Sequence, residues 1–429
     1  MAEIKAFKGL RYSAFAGDLA ELCCPPYDII NEEQRMALLE TNENNIIRLE
    51  LPQAVGVESE EGYKEARSCL NKMLMNGVLA DDRGENIYAY EFSFEYENAT
   101  RSVKGFIALV KLEDFDKGII LPHEETLSKA KTDRFNLMVA TGCNFSQIYS
   151  LYSDEDNSVQ ALLDGATTGE PDGMFTDSDS VTHKLWRVWD DAVIAGISAK
   201  MTNKKIFIAD GHHRYETALN YLQYVRENKS NMGSAAFVPM MLVNLENPGL
   251  TVLPTHRIVR DLAHYNYDEV ITRCAEYFDI TDNLTLENSL KGSLAVCKTG
   301  KNAFVLYNGD GNYAVLSLKN NSVMASLLPE AHDCLRNLDV SVLHSLILER
   351  LFGIDKENMA QQINLTYTRS IYEAVTAVDE KKANCCFLLN PTRVSEIRNV
   401  ALTGGKMPQK STYFYPKLTT GLVMNRIFK

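Results

Sequence analysis

The 429-residue chain is 45% hydrophobic and 24% charged, an ordinary globular composition, and its length exceeds one core, so two or three compact units are expected. The net charge of -13 argues against a nucleic-acid partner, because gripping phosphates normally takes a basic stripe. The opening residues lack a signal-peptide pattern and no apolar run reaches about 18 residues, so a cytoplasmic protein without a membrane partner is expected.

In chain order, CCPPYDII places two prolines that impose an extended path before Tyr27 and Asp28, making those two side chains candidates for a pocket wall. NENNIIRLELP adds the polar Asn44 and Arg48. EEGYKEARSCLNKMLMNG carries apolar residues at helical spacing before a terminating glycine. NIYAYEFSFEY and VKGFIALVKL are strand-like, rich in aromatic and β-branched residues that partly alternate. These elements predict an α+β domain.

Residues 121–151 read as a polar loop with His123, Glu124 and Glu125, then a helix bearing Arg134, then Asn144 and a strand. The acidic, turn-rich stretch from Tyr152 to Ser180 holds one helical piece and belongs at an edge. KKIFIA is a buried strand, and Tyr215, Ala218, Leu219 and Leu222 mark one helical face, so Asp210 to Arg214 occupy the turn between them. A further apolar strand leads to LPTHRIV, with the pair His256 and Arg257.

The expected division is a first domain at 1–260 and a second at 261–429. In the second, YDEVITRCAEYF and VSVLHSLILERLFGI are helical, and NAFVLYNG and NYAVLSL are strands. The segment at about 404–424, dense in glycine, proline, lysine and aromatic residues, folds back rather than frays, and is expected to return to the active site. Nine cysteines show no C-x-x-C repeat or zinc spacing, so they are expected reduced and packed.

The turn from Asp210 to Arg214 is where unpaired N–H groups and the positive helix end receive an anion. Gly211 permits close backbone approach, and Arg214 offers a planar fork for phosphate oxygens. Asp210 would repel a bare phosphate, which implies an intervening cation, and Mg2+ suits carboxylate and phosphate oxygens. In the plainer alternative, Asp210 caps the helix, the histidines satisfy buried groups and Arg214 pairs with an acid. Zinc is disfavoured because the H-E-x-x-H spacing is absent. Glu124 beside His123 could act as a general base, or could simply favour a helix start. Lys406, Lys410 and Lys417, with the hydroxyls of Ser411 and Thr412, could donate to phosphate or to a zwitterion.

The ordered motifs LPHEETL, ADGHHR and MPQKSTYFYP resemble those of free serine kinases in the ParB/sulfiredoxin-like superfamily. CCPPYDII, IIRLELP, ADGHHRYETAL, LPTHRIV and MPQKSTYFYPK also resemble a longer bacterial family of unknown function, sometimes called ParB-like. The resemblance implies a ParB/sulfiredoxin-like nucleotide-binding core with large insertions and a C-terminal α/β extension. It implies phosphoryl transfer between a nucleotide (ATP or ADP) or pyrophosphate and L-serine/O-phosphoserine, in serine metabolism. Glu124, supported by His123, would be the base, and Asp210 would organise Mg2+. Gly211, His212, His213, Arg214, Lys410, Ser411 and Thr412 would hold the donor phosphates or serine's carboxylate. Tyr27, Asp28, Arg134, Asn144, His256 and Arg257 would line the substrate pocket. Two departures stand out: residues 155–200 lengthen the spacing between motifs, and the late motif has Tyr413 where the kinases carry arginine. The alternative is a non-catalytic ParB-like nucleotide-binding regulator, which would require salt-dependent binding to duplex DNA.

Overall fold

Apolar and β-branched strands separated by turn residues build a mixed sheet in the N-terminal part of the chain. In the computed structural model, which describes residues 1–126 and 128–428, this sheet has nine strands among the described residues. Leu127, the last residue of LPHEETL, lies outside the described residues. The long strands Ile87–Tyr96 and Ala99–Lys111 form an antiparallel hairpin at its centre. Phe237–Asn244 pairs antiparallel to the second of them and parallel to Ile148–Tyr152. Ile206–Asp210 then lies between Ile148–Tyr152, antiparallel, and Ile120–Leu121, parallel.

At the far edge, Gly173–Thr176 and Thr182–Val188 extend the same sheet. The stretch from residue 155 to 200 is therefore woven into the sheet, and its edge position agrees with the acidic, turn-rich sequence.

The chain forms two compact units, one of residues Met1–Pro122, Thr126–Thr251 and Pro416–Lys429, the other of His123–Glu125 and Val252–Tyr415. Each unit draws on discontinuous chain, the long middle segment of the first ending at Thr251. In the first unit, helix His212–Asn228 buries Tyr215, Ala218 and Leu222 against sheet residues such as Phe106, Ile148, Ile208 and Met240. A second core gathers Ile46, Ile47 and Leu49 with Tyr63, Ala66 and Leu70 of helix Glu60–Met75.

The second unit is built on an antiparallel six-stranded sheet in the order Phe278–Leu284, Tyr313–Leu318, Ala303–Tyr307, Cys385–Leu388, His256–Val259, Leu365–Thr368. The helical run expected around residues 340–354 is a short α-helix, Asp339–Val342, that widens into a π-helix, Leu343–Glu349. A hydropathy pattern carries the burial of such a segment but not the extra residue per turn.

All nine cysteines are unpaired and seven are buried. Burial pushes the Cys23 thiol up to about 12, against a weaker opposing hydrogen bond with Thr419, so Cys23 is packed material rather than a nucleophile.

Gly105 shows how tightly the central strands pack. A Cβ there would lie 2.3 Å from the Leu242 carbonyl oxygen and 2.8 Å from Val243 Cγ2. Gly105→Ala is expected to lower the unfolding free energy by about 1–3 kcal/mol, as overpacking does. Chemical denaturation checks this, and an unchanged midpoint and slope would show that the strands yield without cost.

Candidate functional site

The strand Ile206–Asp210 is buried throughout its apolar residues, and its register against Ile148–Tyr152 slips between Ile208 and Asp210. Such a slip re-aims the side chain that follows it. Gly211 then takes φ 96°, a left-handed conformation, and the helix begins at His212. A Cβ on Gly211 would sit 3.0 Å from Arg214 Nε, because the arginine folds back over the turn. The turn therefore needs glycine on two counts.

Asp210 Oδ2 accepts from Arg214 Nη2 at 2.7 Å, and Lys417 Nζ donates to Asp210 Oδ1. Arg214 Nη1 also donates to the Gln147 carbonyl oxygen. All three charged side chains are largely shielded, 9–16% exposed. Burial alone would raise the Asp210 pKa, but Lys417 and Arg214, with His212, outweigh it and hold the carboxyl far below the ordinary range. His212 is buried and His213 half-buried at the first turn of the helix. The helix start is fixed by Tyr215, whose hydroxyl donates to Glu113 O at 2.7 Å and accepts from Glu113 N at 2.9 Å.

A small cavity of about 40 Å3 in the same unit joins three predicted residues, Arg134, Asn144 and Arg214, to Glu50 and Ser146. Arg134 is 5% exposed; it donates to Glu50 O at 2.7 Å, pairs with Asp133 at 2.6 Å, and stacks over the Tyr27 ring at 4.1 Å. Burial raises the Glu50 carboxyl above its usual range, although Arg134 and Arg214 oppose it. Asn144 accepts from Asn425 Nδ2 at 3.0 Å, in a short strand pairing. Asp28 is exposed. Sequence reading did not single out Glu50; its place among the apolar residues of IIRLELP was the available signal.

In the second unit, residues 123–125 pack with the late motif. His123 is fully buried, and its Nε2 lies 2.9 Å from Thr412 Oγ1. Met407 N donates to His123 O at 2.7 Å, and Lys410 N donates to Glu124 Oε1 at 2.7 Å. Lys410 takes φ 57° in this turn, its side chain exposed, while Ser411 Oγ donates to Pro408 O at 2.5 Å. Arg257, 1% exposed, donates through Nη2 to Lys410 O at 3.2 Å and lies 5.1 Å from the Tyr367 ring centre. Its neighbour His256 accepts at Nδ1 from Leu389 N at 3.2 Å.

A family profile described as a protein of unknown function (DUF1015) matches residues 4–341. The chain belongs to the DUF1015 family. Comparison with curated proteins finds no match. Among solved structures, this DUF1015 chain is similar to a conserved hypothetical protein from Pyrococcus furiosus, with 14% identity, 73% of this chain and 92% of that one covered, and a TM-score of 0.36. It is similar to a free serine kinase in complex with AMP at 13% identity, covering 72% and 86%, with a TM-score of 0.36. The corresponding figures for SbnI with C-terminal truncation from Staphylococcus aureus are 11%, 75%, 87% and 0.37. The matched DUF1015 span holds the first two motifs, whereas Lys410, Ser411, Thr412 and Lys417 lie beyond it.

The structure changes the electrostatic case for a metal. Asp210 is not a bare carboxylate facing a phosphate, because each of its oxygens already lies on a cation. Among the described residues no group of three or more His, Cys, Asp or Glu side chains gathers as a metal site. The donor set at Asp210 does not fit a resident Mg2+. Lys417, which the sequence places in the late lysine cluster without a distinct role, is the residue that makes the difference.

Two outcomes follow from these charges. Removing Lys417 leaves the shielded Asp210 with Arg214 as its one remaining cation, so Lys417→Met is expected to lower stability by about 1–3 kcal/mol. In a cycle with Asp210→Asn, the double variant should lose less than the sum, whereas additive losses would show the pair to be uncoupled. The second outcome concerns His256, which burial, with Arg257 adding to it, pushes down to about 4. Its folded pKa lies below the unfolded value, so the unfolded chain takes up the proton first and stability is lost as pH falls. The contribution is complete above about pH 6.5 and declines toward about pH 4, by at most about 1.4 kcal/mol per pH unit. Unfolding measured across that window should show a shallower slope for His256→Gln than for wild type; identical slopes would remove His256 from the account.

Proposed function

We propose that the chain is a phosphotransferase acting on the hydroxyl of free L-serine, moving a phosphoryl group between a nucleotide or pyrophosphate and L-serine/O-phosphoserine. The observation that carries this reading is the cluster of Asp210, Arg214 and Lys417 at the start of the helix His212–Asn228. Two fixed cations beside the positive end of a helix dipole suit phosphate oxygens, and their charge opposes the negative charge spread over the phosphoryl group during transfer. In this reading Asp210 holds Lys417 and Arg214 in place, and His212 and His213 add donors at the first turn. Mg2+ would arrive with the donor's phosphates as part of the substrate.

Glu124 would take the proton from serine's hydroxyl as that oxygen bonds to phosphorus and the bond to the leaving phosphate breaks. Its carboxylate is oriented by the Lys410 N–H, as a base that must meet one proton in one direction requires. Lys410, Ser411 and Thr412 would contact the donor phosphate or serine's carboxylate, and Arg257 would steady their loop through Lys410 O. A ParB/sulfiredoxin-like core, a place in serine metabolism and a cytoplasmic setting belong to the same proposal.

The test is phosphorus NMR of the full chain with Mg2+ and L-serine, adding ATP, ADP or pyrophosphate in separate tubes. An O-phosphoserine signal with one donor is expected, and chelating the metal should abolish it without changing the melting temperature. Glu124→Gln keeps an oxygen for Lys410 N–H but cannot take a proton, so turnover should fall by about 100-fold or more while donor binding survives. Activity retained in that variant would remove the base assignment. No product from any donor, with nucleotide binding intact, would favour a binding protein instead.

A further inference from the structure

The second unit holds a cavity of about 380 Å3. That falls in the ordinary range for small-molecule sites, about 300–1,000 Å3. Two of its lining residues, Asn302 at 5% exposed and Arg257 at 1%, each carry a buried polar atom with no hydrogen-bond partner among the described residues: Oδ1 of Asn302 and Nε of Arg257. The orientation of the Asn302 amide is fixed. Its Nδ2 donates to Asn337 O and to Asp339 Oδ1, both at 2.8 Å, so turning the amide over would set oxygen against two acceptors. Arg257 donates from Nη1 to Thr255 O and from Nη2 to Lys410 O, and neither bond involves Nε.

Buried polar groups are nearly always satisfied, because leaving one unmade forfeits its full desolvation cost. A buried acceptor and a buried cationic donor on residues that line one cavity therefore call for an occupant that supplies both counterparts. The exposed Lys298, Lys301 and Arg393 also line this cavity, as do Asp339 and Glu396, which pairs with Arg393; with Arg257 the cations outnumber the acids and bias the cavity positive. Apolar Leu338, Val340 and Leu389 complete a wall suited to a flat or aliphatic body.

We propose that this cavity binds a small anionic metabolite that also carries an N–H or O–H donor. Its phosphate or carboxylate meets Arg257 and the rim of Lys298, Lys301 and Arg393, and its donor meets Asn302. Arg257 also holds the Lys410 carbonyl, and Lys410 N holds Glu124, so occupancy bears on the loop that orients Glu124. The site is thus placed to tune whatever Glu124 does, but its existence does not depend on phosphoryl transfer.

The experiment is calorimetric titration of the full chain, at low salt, with AMP, O-phospho-L-serine and inorganic phosphate as separate probes. Saturable binding of AMP or O-phospho-L-serine is expected, weakened about tenfold or more in Lys301→Glu/Arg393→Glu and retained in Asp210→Asn. Both rim residues are exposed, so that double variant should fold, and an unchanged melting temperature confirms it. A protein inactive toward serine that still binds in this pattern supports the site and separates it from the kinase reading. Binding by none of the probes would show a cavity filled by water and overturn the proposal, as would binding that the rim variant leaves unchanged.

Discussion

The ion pairs of Asp210 with Arg214 and Lys417 set the terms for everything around them in the first unit. A carboxylate at the end of a buried strand loses most of its water, and only close opposite charge returns that energy. The demand propagates into local structure. Arg214 reaches Asp210 by folding over Gly211, so a Cβ there would crowd the guanidinium, and Lys417 must come from more than two hundred residues away. The turn, the helix start and the C-terminal segment are therefore mutually dependent parts of one charge arrangement.

Rigidity is the functional consequence of that arrangement. Fixed cations stabilise developing negative charge more effectively than water does, because they need no reorganisation when the charge appears. The second unit fixes an anion by a different device. Glu124 is held by a backbone N–H, and the turn that presents this N–H is braced by Arg257 at the next carbonyl. In both cases a charged side chain has its direction set by a partner at 2.7 Å before any ligand arrives.

What the sequence disclosed and withheld follows from the range of each interaction. The hairpin of Ile87–Tyr96 and Ala99–Lys111 was legible because alternation and β-branching act within one strand. The strand, turn and helix around Asp210 were legible for the same reason, and Gly211 was the signal. Lys417 was visible as a lysine but its partner was not, since nothing local encodes a pairing across such a separation. The π-helix at Leu343–Glu349 stayed hidden because its apolar residues satisfy an α-helical pattern equally well. The backbone and side-chain hydrogen bonds of residues 123–125 run to Met407, Lys410 and Thr412, partners that no local pattern encodes.

Arg257 is a buried cation held by carbonyl oxygens, with the Glu124 carboxylate near enough to favour its charge. Burial draws its pKa down to about 10, offset in part by Tyr367 and Glu124, which still leaves the guanidinium charged at neutral pH. The two nearby buried histidines respond in the opposite way. His256 and His344 are both pushed down, first by burial and then by the positive charge of Arg257, so they stay neutral while the arginine keeps its proton. A single lasting positive charge among three basic side chains is served by the carbonyl oxygens of Thr255 and Lys410 and favoured by Tyr367 and Glu124. Because its hydrogen-bond partners are neutral carbonyls, Arg257 retains attraction for an anion, and the residue that braces the Glu124 loop is also one that can recognise a ligand.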